Sequence, residues 1–325
     1  MAPLARTLAD AWYRDARWPI LLRPLEAVFR SASALRRSLY RKRLLAVYRA
    51  PVPVVVVGNI TVGGTGKTPV VIAFVESLQQ RGIRVGVVSR GYGAKLRSPH
   101  WIDADSLAAQ CGDEPLLIQR RTGCPCVSAP DRPAAVRTLL ANAAVDVIIS
   151  DDGLQHYALA RDLEIVVIDQ RRATGNGYCL PAGPLREPVT RLQTVDYVLY
   201  RGGPEPENAV SYEADCLVNV DSGQQLPAGP EALPGKVHAV AGLGQPAQFF
   251  DSLRALGFDL VPHAFPDHHS YRRSDFAALS ARPIIMTEKD AVKCSGLAGA
   301  NAWYLKIHAR LPTAVTDAVA ELASH

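Results

Sequence analysis

The chain has 325 residues, 48% of them apolar and 21% charged, enough for one large domain or two modest ones, which excludes wholesale disorder. Its net charge of +5 is unevenly placed: residues 1–50 hold eleven Lys/Arg and three Asp/Glu, a local +8, so the other 275 residues net −3. The basicity belongs to one segment, which suits an anionic partner surface, either membrane or nucleic acid.

The six cysteines form no CxxC pair, and Cys124-Pro125-Cys126 is too tight for a zinc half-site, so free thiols in a reducing compartment are expected. No apolar run is followed by a small-residue cleavage site, so no signal peptide is expected.

In residues 1–50, Trp12, Trp18, Ile20, Leu21, Leu25, Val28 and Phe29 alternate with Arg14, Arg17, Arg23, Arg30, Arg36, Arg37, Arg41 and Arg43. No run reaches the roughly 18 apolar residues that a membrane span needs. From Leu25 to Tyr48 the pattern fits one helix or a broken pair. Two readings stay open: an amphipathic element in a membrane interface, with arginines on lipid phosphates, or a helix packed on the core with a solvated basic face.

At Pro51 the texture changes. Val54–Val57 is a β-branched run of the kind buried on both faces of a sheet. A helix is predicted over Pro69–Arg81, a strand over Val85–Ser89, helices over Asp113–Thr122 and Pro133–Ala143, and strands over Val145–Ser150 and Ile165–Asp169. This alternation predicts a parallel sheet flanked by helices. From Arg201 to Gly235 the chain is rich in Gly, Pro and Glu, with one strand candidate at Cys216–Val220, and reads as a connector. A second alternating unit follows: strands at Val237–Ala241, Leu260–Phe265, Ile284–Thr287 and Trp303–Ile307, and helices at Ala247–Leu256 and Ser274–Leu279. The expected domains are a basic interfacial segment (1–50), a core with connector (51–235) and a smaller α/β domain (236–325).

The strongest motif is Gly58-Asn59-Ile60-Thr61-Val62-Gly63-Gly64-Thr65-Gly66-Lys67-Thr68-Pro69, in which a buried strand feeds a glycine-rich turn and then a helix. Glycines let several N–H groups converge on one phosphate chain, and the helix N-terminus adds a positive dipole end. Lys67 can reach β- and γ-phosphates, and Thr68 can ligate Mg²⁺. This makes residues Thr61, Val62, Gly63, Gly64, Thr65, Gly66, Lys67 and Thr68 a binding site for a nucleoside triphosphate, foremost ATP with Mg²⁺. The spacing departs from the ordinary loop, with Thr61 where glycine is usual. It resembles the loop of partitioning-type ATPases, but the second lysine of that class is replaced by Val62.

Asp151 and Asp152 end a hydrophobic strand, which suits a magnesium-holding pair; Ile165–Asp169 competes weakly for that role. Asp113 either caps a helix or serves as a base beside the phosphates. Asp267-His268-His269 closes a strand in the second unit, where sites are built and where an Asp can fix an imidazole tautomer. Thr287-Glu288-Lys289-Asp290 faintly suggests a base-reading loop. In the loop Leu180–Pro188, Arg186 can grip a phosphate bidentately and Glu187 stands beside it. Ser89–Gly93, with Arg90, and Gly153–His156 lie at neighbouring strand ends.

In this order, from residue 50 to 293, the motifs resemble the tetraacyldisaccharide 4′-kinase family, the lipid A 4′-kinases. The resemblance implies an α/β fold: a P-loop NTPase-like parallel sheet core, a second smaller α/β domain and an N-terminal interfacial helix. It implies ATP-dependent phosphorylation of the 4′-hydroxyl of a lipid disaccharide 1-phosphate at the cytoplasmic face of the inner membrane, by a peripheral or monotopic protein with no nucleic-acid partner. Asp113 and His268 match the positions that deprotonate the sugar hydroxyl with Lys67 on the phosphates. Thr68 with Asp151 and Asp152 match the magnesium side, and Arg186, Glu187, Arg90 and His156 the substrate side. The alternative is a membrane-associated switch ATPase of the partitioning type.

Overall fold

The computed structural model describes residues 11–13, 16, 18–202, 207–279 and 281–324. Arg14 and Arg17 of the basic segment lie outside them. In chain order the main elements are α1 (Arg23–Arg41), β1 (Val54–Gly58), α2 (Lys67–Gln80), β2 (Val85–Ser89), β3 (His100–Ile102), α3 (Ala108–Cys111), α4 (Asp113–Thr122), β4 (Cys126–Ser128), α5 (Arg132–Asn142), β5 (Val147–Asp151), β6 (Leu163–Asp169) and β7 (Tyr197–Arg201). The second half contributes β8 (Ala209–Asn219), β9 (Gln225–Pro227), β10 (Val237–Ala241), α6 (Pro246–Ala255), β11 (Leu260–Ala264), α7 (Arg273–Phe276), β12 (Ile284–Thr287), α8 (Glu288–Ala291), β13 (Ala302–Arg310) and α9 (Thr313–Ala323).

All the named strands belong to one sheet in the order β11-β10-β12-β13-β8-β7-β6-β1-β5-β2-β4-β3, with β9 alongside β8. Pairing is parallel from β7 to β4 and again from β11 to β13, as the β–α alternation requires. β1 sits at the centre of the first half, and its four valines are completely buried. Each such side chain withdrawn from water contributes about 1.5–3 kcal/mol as an upper bound. Gly58 closes the strand because a Cβ there would lie 2.7 Å from the Leu154 Cβ. Only glycine lets the chain after β5 cross so near the phosphate loop.

The segment read as a connector is different in the structure. Its eleven-residue β8 pairs in parallel with the end of β7 (Arg201↔Val210) and antiparallel with β13 over most of its length. It therefore welds the two halves into one sheet. The exposed residues Ser211, Glu213, Ala214 and Asp215 hide the apolar alternation that would mark a strand. α9 also crosses back. Val315, Val319 and Ala320 pack in the same core as Val70, Phe74 and Leu78 of α2, and Arg81 pairs with Asp317 at 2.7 Å.

The N-terminal helix α1 is continuous to Arg41. Its polar side faces the protein. Glu26 is buried, accepts the Cys179 N–H at 3.1 Å and pairs with Arg23 at 2.7 Å. Arg36 donates to the Gln155 carbonyl, and Phe29 reaches the core behind β1. Leu21, Leu25, Val28 and Leu35 point outward, with exposures of 78%, 58%, 67% and 61%. A helix packed on the core in the ordinary way would bury those residues. Among the described residues no helix is long and apolar enough to cross a membrane.

Candidate active site

The phosphate loop is fixed from outside by the Pro181–Glu187 segment. Val62 N–H donates to Pro184 O at 2.8 Å, Arg186 N–H donates to Ile60 O at 2.7 Å, and Thr61 bridges to Leu185. This main-chain pairing is what carries Arg186 to the loop. Within the loop, the Asn59 amide donates to Thr65 Oγ1 at 3.3 Å. Gly66 caps α2 in a left-handed conformation (φ 81°), and Lys67 opens the helix.

Lys67 Nζ lies 3.3 Å from Asp152 Oδ1, and Arg186 grips the same carboxylate at 3.0 Å. Burial alone would raise the Asp152 acid, but Lys67 and Arg186 outweigh it and hold it far below the usual range. Asp152 itself takes a left-handed conformation (φ 49°), which turns the chain sharply at the strand end. Asp151, one residue earlier, is fully buried. Its Oδ2 accepts from Ser89 Oγ at 3.1 Å, while Oδ1 has no partner. Burial, and then the charge of Glu114, push the Asp151 acid up to about 7. Arg132 anchors this turn by donating to the Asp151 carbonyl at 2.8 Å. Thr68, at the start of α2, is buried as well.

The facing wall comes from distant segments. Asp113 is the first residue of α4, and Gly112 occupies the cap position, so the capping alternative is not realised. Its carboxylate instead meets His268 Nδ1 at 3.0 Å and Lys293 Nζ at 3.5 Å. Burial pushes the Asp113 acid up, but the His268 hydrogen bond, Lys293 and Lys289 together hold it down at about 2. Lys289 pairs with Glu114 at 2.9 Å and Asp267 at 3.4 Å. Tyr92, following Arg90 at the end of β2, lays its ring 4.7 Å from that of His268. Glu114 connects the walls, since the charges of Lys289 and Lys67 both draw its acid downward against burial.

Other sequence candidates take different places. Glu187 is spent internally: its oxygens accept from Gln155 at 2.8 Å and Tyr157 at 2.7 Å, and Arg191 lies 3.2 Å away. His156 sits behind the Asp151–Asp152 turn, where burial and then Arg132 and Arg90 hold its imidazole down at about 3. His269 turns from the cleft to Asp275 at 3.0 Å. The Thr287–Asp290 segment is a lock rather than a base-reading loop. Asp290 is fully buried and accepts from Thr287 Oγ1 at 2.6 Å and Gly242 N–H at 2.8 Å, which leaves Lys289 aimed at the site. Asp169, the weaker metal candidate, accepts from Gln245 and Gln248 at 3.2 and 3.0 Å.

The sequence reading overlooked the charges of Glu114 and Lys293 and the contacts of Gln245 and Tyr212 with the phosphate loop. The four-residue spacing of Lys289 and Lys293 is the one local signal that marks a shared face. A groove of about 460 Å³ also opens between α1 and the core, lined by Arg30, Arg36, Arg37, Gln155, Tyr157 and Arg186.

A model of the tetraacyldisaccharide-1-P 4′-kinase family matches residues 18–324. The chain belongs to that family. A tetraacyldisaccharide 4′-kinase of Azotobacter vinelandii is 51% identical over 97% of this chain and 96% of its own length. One from Pseudomonas paraeruginosa is 52% identical over 93% and 92%. A crystal structure of the Aquifex aeolicus enzyme, described as an "apo" form in complex with ATP, is 28% identical, with a TM-score of 0.80 over 94% of this chain and 99% of that one. Family membership makes this chain a kinase of a hydroxyl acceptor in lipid A biosynthesis. The partitioning-type alternative is not favoured.

Proposed function

We propose that ATP with magnesium lies along Thr61–Thr68, and that Asp113 with His268 receives the proton of the acceptor's 4′-hydroxyl as its oxygen attacks the γ-phosphorus. The observation that carries this reading is the Asp113–His268 pair at 3.0 Å, opposite the Lys67–Asp152–Arg186 chain. Phosphoryl transfer chiefly needs positioning and charge neutralisation. Lys67 offsets charge on the terminal phosphates. A base held down at about 2 stays ionised at every working pH, so it can orient the hydroxyl throughout and accept its proton late in the transfer.

The residues present suit a divalent cation. Asp151 Oδ1 is buried without a hydrogen-bond partner, close enough to feel the charges of Glu114 and Asp152, which leaves it open to a cation. Asp151, with Thr68 and the phosphate oxygens, would hold magnesium. When bound, the ion draws negative charge off the phosphoryl oxygens. A magnesium held in this way would take its remaining ligands from the nucleotide and water.

The groove under α1 supports a place for the acceptor's polar disaccharide. It is lined by arginines and joins the phosphate loop at Arg186. The outward Leu25, Val28 and Leu35, with Leu21 just before the helix, support α1 lying in the surface of an inner membrane from which the lipid is drawn. Incubation of the purified protein with ATP, magnesium and tetraacyldisaccharide 1-phosphate should give a bisphosphorylated lipid. Bound ATP without that product would sink the acceptor assignment. Loss of flotation with anionic vesicles in the Leu25→Glu/Val28→Glu variant, with turnover of detergent-dispersed lipid kept, is the expected signature of the interfacial helix.

A further inference from the structure

Two side chains from the second half of the chain reach the carbonyl oxygens of the phosphate loop. The Tyr212 hydroxyl, on β8, donates to Gly66 O. The Gln245 amide, at the N-terminus of α6, donates to Gly64 O at 3.2 Å. Gly244 brings its backbone alongside, since a Cβ there would lie 3.8 Å from Gly64 N. Both tethers converge on Asp169. Its Oδ2 accepts from Gln245 at 3.2 Å and lies 3.6 Å from Arg201, whose guanidinium covers the Tyr212 ring. A side chain at residue 66 would strike this arrangement, because a Cβ would fall 2.6 Å from the Tyr212 hydroxyl.

Peptide units are planar and trans, so a carbonyl and the following N–H point in opposite directions. Holding Gly64 O and Gly66 O outward turns the N–H groups of Thr65 and Lys67 inward. A hydrogen bond to a carbonyl oxygen also polarises its peptide and strengthens that N–H as a donor. Burial pushes the Tyr212 phenol well above its ordinary range, so it keeps the proton it donates.

We infer that Tyr212 and Gln245 are positioning residues that set two inward N–H groups of the phosphate loop, and that the second half of the chain thereby tunes the grip on a triphosphate. This rests on the nucleotide reading given above. Neither side chain touches the reacting atoms, so their effect must pass through the β- and γ-phosphates and spare the nucleoside.

The test uses calorimetric titration of the full chain with ATP and with AMP, for wild type, Tyr212→Phe, Gln245→Leu and the double variant. Each single substitution should raise the Kd for ATP about fivefold, the worth of one ordinary hydrogen bond, and the double variant about 25-fold. AMP affinity and the KM for the lipid acceptor should stay within about twofold, and the melting temperature should stay close to that of wild type. Gln245→Glu, which keeps the side-chain length but replaces the donor by a carboxylate beside Asp169, should weaken ATP binding at least as much as Gln245→Leu. An unchanged ATP affinity in the double variant, beside a wild type that binds ATP, overturns this inference and leaves the nucleotide reading intact. A parallel loss of AMP and ATP binding also overturns it, because that marks general loosening. A wild type that binds no ATP removes both.

Discussion

The two walls of the cleft are built by different means. On the phosphate-loop side, main-chain hydrogen bonds fix the scaffold: Arg186 N–H on Ile60 O, Val62 N–H on Pro184 O and the parallel ladder of β1 with β5. The functional groups of the opposite wall meet through side chains. Asp113, His268, Lys289 and Lys293 come from three segments up to 180 residues apart in the chain and meet through ion pairs of 2.9–3.5 Å. A main-chain scaffold holds its geometry when one side chain changes, whereas an ion-pair wall redistributes. Substitutions on the first wall should therefore act on phosphate charge, and those on the second on proton acceptance and on how the two halves approach.

The largest effect is expected at Lys67. Lys67→Ala removes the cation that meets the terminal phosphates and leaves Asp152 with Arg186 alone, so kcat should fall by roughly 10³ or more. The fold should survive, because Lys67 opens a helix whose buried face lies elsewhere. A melting temperature close to wild type beside that loss confirms the division; a loss under tenfold breaks it. Asp113→Ala comes next. Transfer should slow by about 10²–10⁴ while ADP affinity, measured by titration, changes less than about threefold. A joint loss of nucleotide binding would mean the walls are not separable.

The same contrast explains which parts could be read from sequence. The phosphate loop is one unbroken run, and each of its residues has a local chemical reason, so its place on β1 and α2 followed directly. Strands buried on both faces, such as β6 and β12, announce themselves as β-branched runs. β8 does so only at its end, where Cys216–Val220 reads as a strand, because its middle is solvent-facing and its partner β13 lies some ninety residues away. The Asp113–His268 pair carried no local signal either. Asp113 looked like an ordinary helix cap, and only resemblance to a family joined it to His268. The Glu187 network was illegible for another reason: its partners Gln155 and Tyr157 come from the loop after β5, some thirty residues back, and only Arg191 is a neighbour in sequence. A lone carboxylate in a loop gives no hint that burial will consume it.

A smaller effect should sharpen the account of the second wall. Lys293 neighbours both Asp113 and the buried Asp290, so Lys293→Met removes one of the cations that hold the Asp113 acid down. His268 and Lys289 remain, so the wall should redistribute and not fail. The expected result is a kcat within about threefold of wild type at neutral pH, where Asp113 stays ionised either way, with the acid limb of the pH–rate profile moved to higher pH and the KM for ATP little changed. An unmoved acid limb would show that Lys293 acts only through packing.

The smallest expected effect is on stability and lies behind the first wall. His156 is held down at about 3 from its ordinary 6.5, by burial first and then by Arg132 and Arg90. The unfolded chain takes up a proton on this imidazole as pH falls below 6.5, and the folded chain refuses it until about 3. The unfolded state therefore binds more protons across that window, and stability falls as the medium becomes more acidic. Above 6.5 there is no penalty. At a pH one and a half units below the ordinary value the penalty is about 2 kcal/mol, or a melting temperature lower by about 4 °C. His156→Gln removes the titration, so its melting temperature should fall less than that of wild type between pH 7 and roughly pH 5. Equal slopes would mean that the turn opens and lets the imidazole charge in place. The wall held by main-chain bonds would then be as adjustable as the one facing it.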